Sequence, residues 1–146
     1  MYMFNYYLLP APSTTPWAPA WSPDGRSVAL AMYGSVWKVD PASGTAAELT
    51  YNSKYHSCPT WSPDGKWIVY TADDDAKTIQ LEILNVRTGE SHSLTSDGQI
   101  FLDPVFSPDG TNLCYVATKP GGHFNILVRR FNASCEPVIR IEKQGV

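Results

Sequence analysis

Trp21-Ser22-Pro23-Asp24-Gly25 recurs as Trp61-Ser62-Pro63-Asp64-Gly65 and again as Phe106-Ser107-Pro108-Asp109-Gly110. The copies begin 40 and 45 residues apart, and each is preceded by a proline two residues before its aromatic: Pro19, Pro59 and Pro104. A proline at the second turn position presets φ near −65°, aspartate tolerates the bridge region, and glycine accepts the left-handed conformation. The string therefore reads as a tight hairpin, a type I turn with a glycine bulge, between two antiparallel strands. Asp24, Asp64 and Asp109 could instead be catalytic carboxylates. The same residue in every unit argues for a scaffold role rather than for one site.

Working outward, each copy is followed by a β-forming run: 27–32, 67–71 and 113–117. Val36 to Val39 and Ile79 to Val86 supply third strands; Ile79, Leu81 and Ile83 alternate with Gln80 and Glu82 at period two, the pattern of a half-buried strand. Turns at 40–44 and 86–89 lead into short fourth strands, 47–50 and 91–95, both ending in Leu-Thr. The third unit has a clear strand over 124–131, but Asn132-Ala133-Ser134 lacks the glycine and 137–141 lacks the Leu-Thr ending. Helical periodicity is absent throughout. Four short strands per roughly 40–45 residues predict an all-β chain of β-propeller blades, with blades over about 18–52, 57–96 and 102–141 following a leader over 1–17.

The remaining composition narrows the function classes. The chain has 146 residues, 11 Lys plus Arg against 14 Asp plus Glu, and a net charge of −3. With no basic run it lacks the footprint of a nucleic-acid binder. No segment approaches the roughly 18 uninterrupted apolar residues of a membrane helix. Residues 1–20 carry no Lys or Arg, so the charged start of a secretory signal is not expected there. Cys58, Cys114 and Cys135 cannot all pair within one chain and form no Cys-x-x-Cys, so they read as small core residues.

The repeat Pro-x-Trp-Ser-Pro-Asp-Gly, a β-run, a short glycine turn and a Leu-Thr ending resembles the WD40-like repeat of TolB-type β-propellers, over about residues 18–141. The strings Tyr33-Gly34-Ser35-Val36-Trp37, Leu102 to Gly110 and Thr118 to Ile126 are similar to the propeller in front of some amidohydrolase-type enzymes. The resemblance implies a six-bladed ring, usually extracytoplasmic in bacteria, that binds proteins or gates a linked catalytic domain; this chain carries three units, half such a ring.

The resemblance transfers no catalytic residue and implies no cofactor. His56, His92 and His123 are isolated, with no His-x-His or His-Glu-x-x-His, and there is no Gly-x-Ser-x-Gly elbow or phosphate loop. Asp73-Asp74-Asp75 reads as a solvated hairpin tip, since calcium loops space their ligands and include a glycine. Asn132-Ala133-Ser134 is a formal glycosylation acceptor that reads as a turn. The expectation is a non-catalytic interaction module; the alternative is the propeller of a larger amidohydrolase- or peptidase-type hydrolase, covalently linked to it.

Blade topology places the Ser-Pro-Asp-Gly turns and the turns at Gly44 and Gly89 at one end. The other end carries the variable loops, and rigid scaffolds present function on such loops. Tyr51, Tyr55, His56, Asp74, Gln99, Lys119 and His123 are the candidate partner-binding residues there. The uncharged, aromatic leader is expected to dock as an extra edge strand. Because blades need two neighbours, two copies are expected to close a ring as a homodimer.

Overall fold

The computed structural model describes residues 15–74, 78–96, 98–118 and 122–133. The leader expected to dock, Lys119, Cys135 and the expected strand over 137–141 lie outside the described residues, apart from the leader's last three positions.

Among the described residues, eleven strands form three antiparallel meanders. Blade 1 contains β1 (Trp17–Trp21), β2 (Val28–Met32), β3 (Ser35–Asp40) and β4 (Thr45–Glu48) in that spatial order. Blade 2 contains β5 (Tyr55–Trp61), β6 (Trp67–Asp73), β7 (Ile79–Asn85) and β8 (Ser91–Ser93), and blade 3 contains β9 (Phe101–Phe106), β10 (Asn112–Thr118) and β11 (Phe124–Arg130).

Each Ser-Pro-Asp-Gly string is the predicted hairpin. Gly25 N–H donates to Ser22 O at 2.9 Å, and Gly25 sits at φ +69°, the left-handed value that glycine adopts without a Cβ penalty. The serine hydroxyl donates to the aspartate two residues on and accepts from the amide five residues on, in all three copies. The aspartate in turn accepts the N–H of Arg26, Lys66 or Thr111. The carboxylates are tied into their own turns, as a scaffold role requires.

The residues before these prolines have an unusual backbone. Ala18, Cys58 and Asp103, each immediately before its proline, have φ of 50°, 48° and 51°. The pairing register of the first strand slips at the same place in every blade. A bulge is thus built into the first strand of each blade.

Blade packing follows from strand register. One face of blade 2 presents Trp61, Ile68, Tyr70 and Leu84 to Ala29 and Val36 of blade 1. Its opposite face presents Val69, Leu81, Ile83 and Leu94 to Phe101, Phe106, Leu113 and Tyr115 of blade 3. Alternate residues of β6 and β7 therefore bury on opposite sides, which is why both strands are buried almost throughout. Edge-to-face ring pairs within blade 3, Phe101 with Tyr115 and Phe106 with Phe131, order its side of the second interface.

Candidate partner-binding end

Two sets of loops meet at the end opposite the Ser-Pro-Asp-Gly turns. The described parts of the second-to-third-strand turns (33–34, 74, 78 and 122–123) lie at the same end as those of the links between blades (49–54, 94–96 and 98–100). Short contacts tie the two sets together. His56 N–H donates to Gly34 O at 2.8 Å, and Thr118 N–H to Ile100 O at 3.0 Å. Ile79 and Ile100 form an isolated parallel bridge.

The Leu-Thr endings anchor these links. After β4 stops at Glu48, Leu49 N–H donates to Val36 O, and Thr50 Oγ1 accepts the Val36 N–H at 2.9 Å. Leu94 and Thr95 do the same for Leu81. The pair therefore satisfies backbone groups near the start of the third strand, β3 or β7, where the fourth strand has ended. Thr95 Oγ1 also donates to Gln80 Oε1, and Gln80 Nε2 donates to Gln99 O.

Beneath this end lies a buried polar network. Glu82, 4% exposed, accepts from Lys54 Nζ and, at 2.9 Å, from Tyr70 Oη. His56, 0% exposed, places Nδ1 2.7 Å from Thr50 Oγ1, and its ring meets Tyr70 edge-on at 5.0 Å. Thr50 Oγ1 accepts from Val36 and keeps both a hydrogen and a second lone pair for Nδ1, while Nε2 lies 3.8 Å from Glu82 Oε2, beyond hydrogen-bond distance. Burial drives the His56 pKa down to about 4, against the opposing pull of Glu82 and with a smaller push from Lys54. The network joins β3, the first link, β5, β6 and β7.

The candidate residues fall into three groups. Tyr51, 78% exposed with its hydroxyl on Glu48 O, Asp74 and His123 are on the surface. Tyr55 is half-buried with its ring against Gly34, and Gln99 is half-buried. His56 is a correction: it belongs to β5 and is enclosed between blades, so it offers no surface to a partner. The chain enters the strand two residues earlier than the sequence pattern indicates. Asp73 is likewise corrected, being the buried last residue of β6 (2% exposed) rather than part of a solvated tip. Tyr33, at φ 54° and 56% exposed, was not singled out, although its Tyr-Gly turn marks an exposed tip.

Among the described residues no group of three His, Cys, Asp or Glu could hold a metal ion, and no helix is long and apolar enough to cross a membrane. Cys58 is half-buried; burial, then the Asp103 carboxylate, pushes its thiol up to about 12, away from nucleophilic chemistry.

Comparison with known proteins agrees with this geometry. The chain is 30% identical over 139 residues to the uncharacterized peptidase YuxL of Bacillus subtilis, covering 88% of this chain and 21% of that protein. It is 36% identical over 63 residues to the Tol-Pal system protein TolB of Alcanivorax borkumensis, 43% of this chain and 14% of that one. The structure assigned to TolB of Agrobacterium tumefaciens superposes with a TM-score of 0.72 at 20% identity, over 82% of this chain and 47% of that one. The chain thus spans less than half the length of these proteins. Residues 11–141 match the family described as the TolB beta propeller domain, and the chain belongs to that family.

Proposed function

We propose that this chain is a non-catalytic, protein-binding propeller module of an extracytoplasmic protein, with its loop end as the partner surface and a second copy of itself as a further partner. The contrast between the two ends carries this reading. The hairpin end repeats one turn three times and spends its polar groups internally. The loop end presents Tyr33, Tyr51 and His123 over a floor held by the Glu82 network. Exposed tyrosines on a rigid base provide contact area at low entropic cost, which suits protein recognition. The similarity to a Tol-Pal system protein supports an extracytoplasmic setting.

Quantitative capture from a bacterial extract tests it, with a Tyr33→Ala/Tyr51→Ala/His123→Ala variant beside an Arg26→Ala/Arg87→Ala variant of the hairpin end. A partner held by the wild type and the hairpin-end variant but lost by the loop-end variant is the expected result. Identical capture by all three would overturn the loop-end assignment.

A second reading is favoured by the peptidase similarity, which covers most of this chain. In it, the module is the propeller of a hydrolase and its loop end faces a linked catalytic domain. Purified chain then shows no peptidase or amidase turnover by itself. Fusion to the matching catalytic domain would change that domain's substrate size limit.

A further inference from the structure

The two outer blade faces are the repeat counterparts of faces that already meet inside the chain. Trp21, Trp61 and Phe106 occupy one position, on the face each blade turns to its predecessor. Trp61 and Phe106 are each 8% exposed, whereas Trp21 is 62% exposed. On the face turned to the following blade, strand register makes Val36, Leu81 and Ile126 equivalent, through their partners Ala31, Thr71 and Val116. Val36 and Leu81 are 0% exposed and Ile126 is 70% exposed. Val105, Phe124 and Val128 extend the blade 3 face at 57%, 50% and 50%. Among the described residues each copy therefore carries one exposed face of each kind, and the chain's own interfaces show how the two kinds fit.

The same interfaces supply a polar key. Trp61 Nε1 donates to the carbonyl of Ala20, the residue just before the blade 1 aromatic, at 3.1 Å. The equivalent carbonyl in blade 3 is that of Val105, and Trp21 retains the indole donor that Phe106 lacks. We infer that the blade 1 face of one copy seats on the blade 3 face of a second copy, with Trp21 Nε1 donating to the main-chain carbonyl of Val105 of the partner subunit. Both open faces are covered at once in a head-to-tail pair.

The inference rests on the proposed self-association, and the experiment separates the two. Sedimentation of the purified chain over a concentration series is expected to give twice the chain mass. Trp21→Asp and Ile126→Asp/Val128→Asp change exposed side chains, and circular dichroism checks that each variant keeps its strand spectrum. Each is expected to weaken association at least tenfold. Mixing the two variants restores one intact interface and should give a mixed dimer tighter than either variant alone. A wild-type chain that stays monomeric at high micromolar concentration would overturn both self-association and this pairing. A wild-type dimer insensitive to both variants would overturn the pairing alone. Mass growing without limit would overturn the closed pair.

Discussion

His56 Nε2 faces Glu82 Oε2 across 3.8 Å within a fully buried site, and burial nevertheless pushes the imidazole pKa down to about 4. Lys54 and Tyr70 already share the Glu82 carboxylate, and Thr50 occupies the other ring nitrogen. The unfolded chain takes up its histidine proton near pH 6.5 and the folded chain only near 4. Between those values the unfolded state binds more protons, so stability falls as pH drops from about 6.5 to 4. At about 1.4 kcal/mol per unit the loss reaches at most ~3 kcal/mol. Urea unfolding at pH 7 and pH 4.5 should show it, and His56→Gln should flatten that slope; equal slopes would refute the origin.

The three turn aspartates act in a lower window. The Ser107 hydroxyl, then the amide and hydroxyl of Thr111, hold the Asp109 carboxyl down to about 2; Ser22 and Ser62 lower Asp24 and Asp64 in the same way. A depressed folded pKa gives stability that is present above 3.8 and lost as pH falls toward 2. Carboxyl-carbon NMR titration should find the Asp109 midpoint near 2, and Ser107→Ala should move it up toward 3.8. A midpoint that ignores the serine would contradict the turn geometry.

Gly34 and Gly44 both have positive φ, +78° and +72°, but their surroundings differ. A Cβ at Gly44 meets nothing within 4 Å, whereas one at Gly34 would lie 3.3 Å from Tyr55 Cδ2. Gly44→Ala should cost only the left-handed backbone penalty, about 1–2 kcal/mol. Gly34→Ala should cost roughly 1 kcal/mol more, because the ring must shift against the Tyr33-Gly34 turn. Thermal unfolding of the two variants side by side gives the comparison, and equal losses would show that the Tyr55 contact is slack.

Leu81 and Ile126 are repeat equivalents with opposite exposure, 0% and 70%. Leu81→Ala should cost about 2–5 kcal/mol by opening a cavity between blades 2 and 3. Ile126→Ala, measured at concentrations low enough to keep the chain monomeric, should change stability by less than about 0.5 kcal/mol. A large loss at Ile126 under those conditions would mean that its face is covered within one chain.

Much of this architecture was legible because its determinants are local and repeated. The Ser-Pro-Asp-Gly turns, the period-two pattern of Ile79 to Ile83 and the Leu-Thr endings each encode their own geometry. The placement of side chains across blades is not local. His56 follows a polar stretch, Tyr51-Asn52-Ser53, and nothing in that stretch announces Tyr70 or Glu82 as its neighbours. Trp21 and Trp61 share an identical motif, yet Trp61 packs against blade 1 while Trp21 is 62% exposed. The loop end was therefore legible as a set of loops, while the division into surface and floor residues required the tertiary structure.

The first strand of each blade carries the least expected feature, a left-handed residue that is not glycine before each repeat proline. At Ala18 the φ of 50° costs roughly 1–2 kcal/mol, since Cβ crowds the following carbonyl oxygen. Glycine would remove that penalty but would add unfolded-state freedom worth roughly 0.5–1 kcal/mol. The difference favours glycine, against the usual expectation that glycine weakens a strand. Ala18→Gly should therefore raise stability by up to about 1 kcal/mol, read as a higher urea midpoint with an unchanged slope. Asp103 is a poorer place for the same test, because its carboxylate also acts on the Cys58 thiol. A lower midpoint for Ala18→Gly would show that the bulge is held without strain and that the proline, not the left-handed residue, sets the bend.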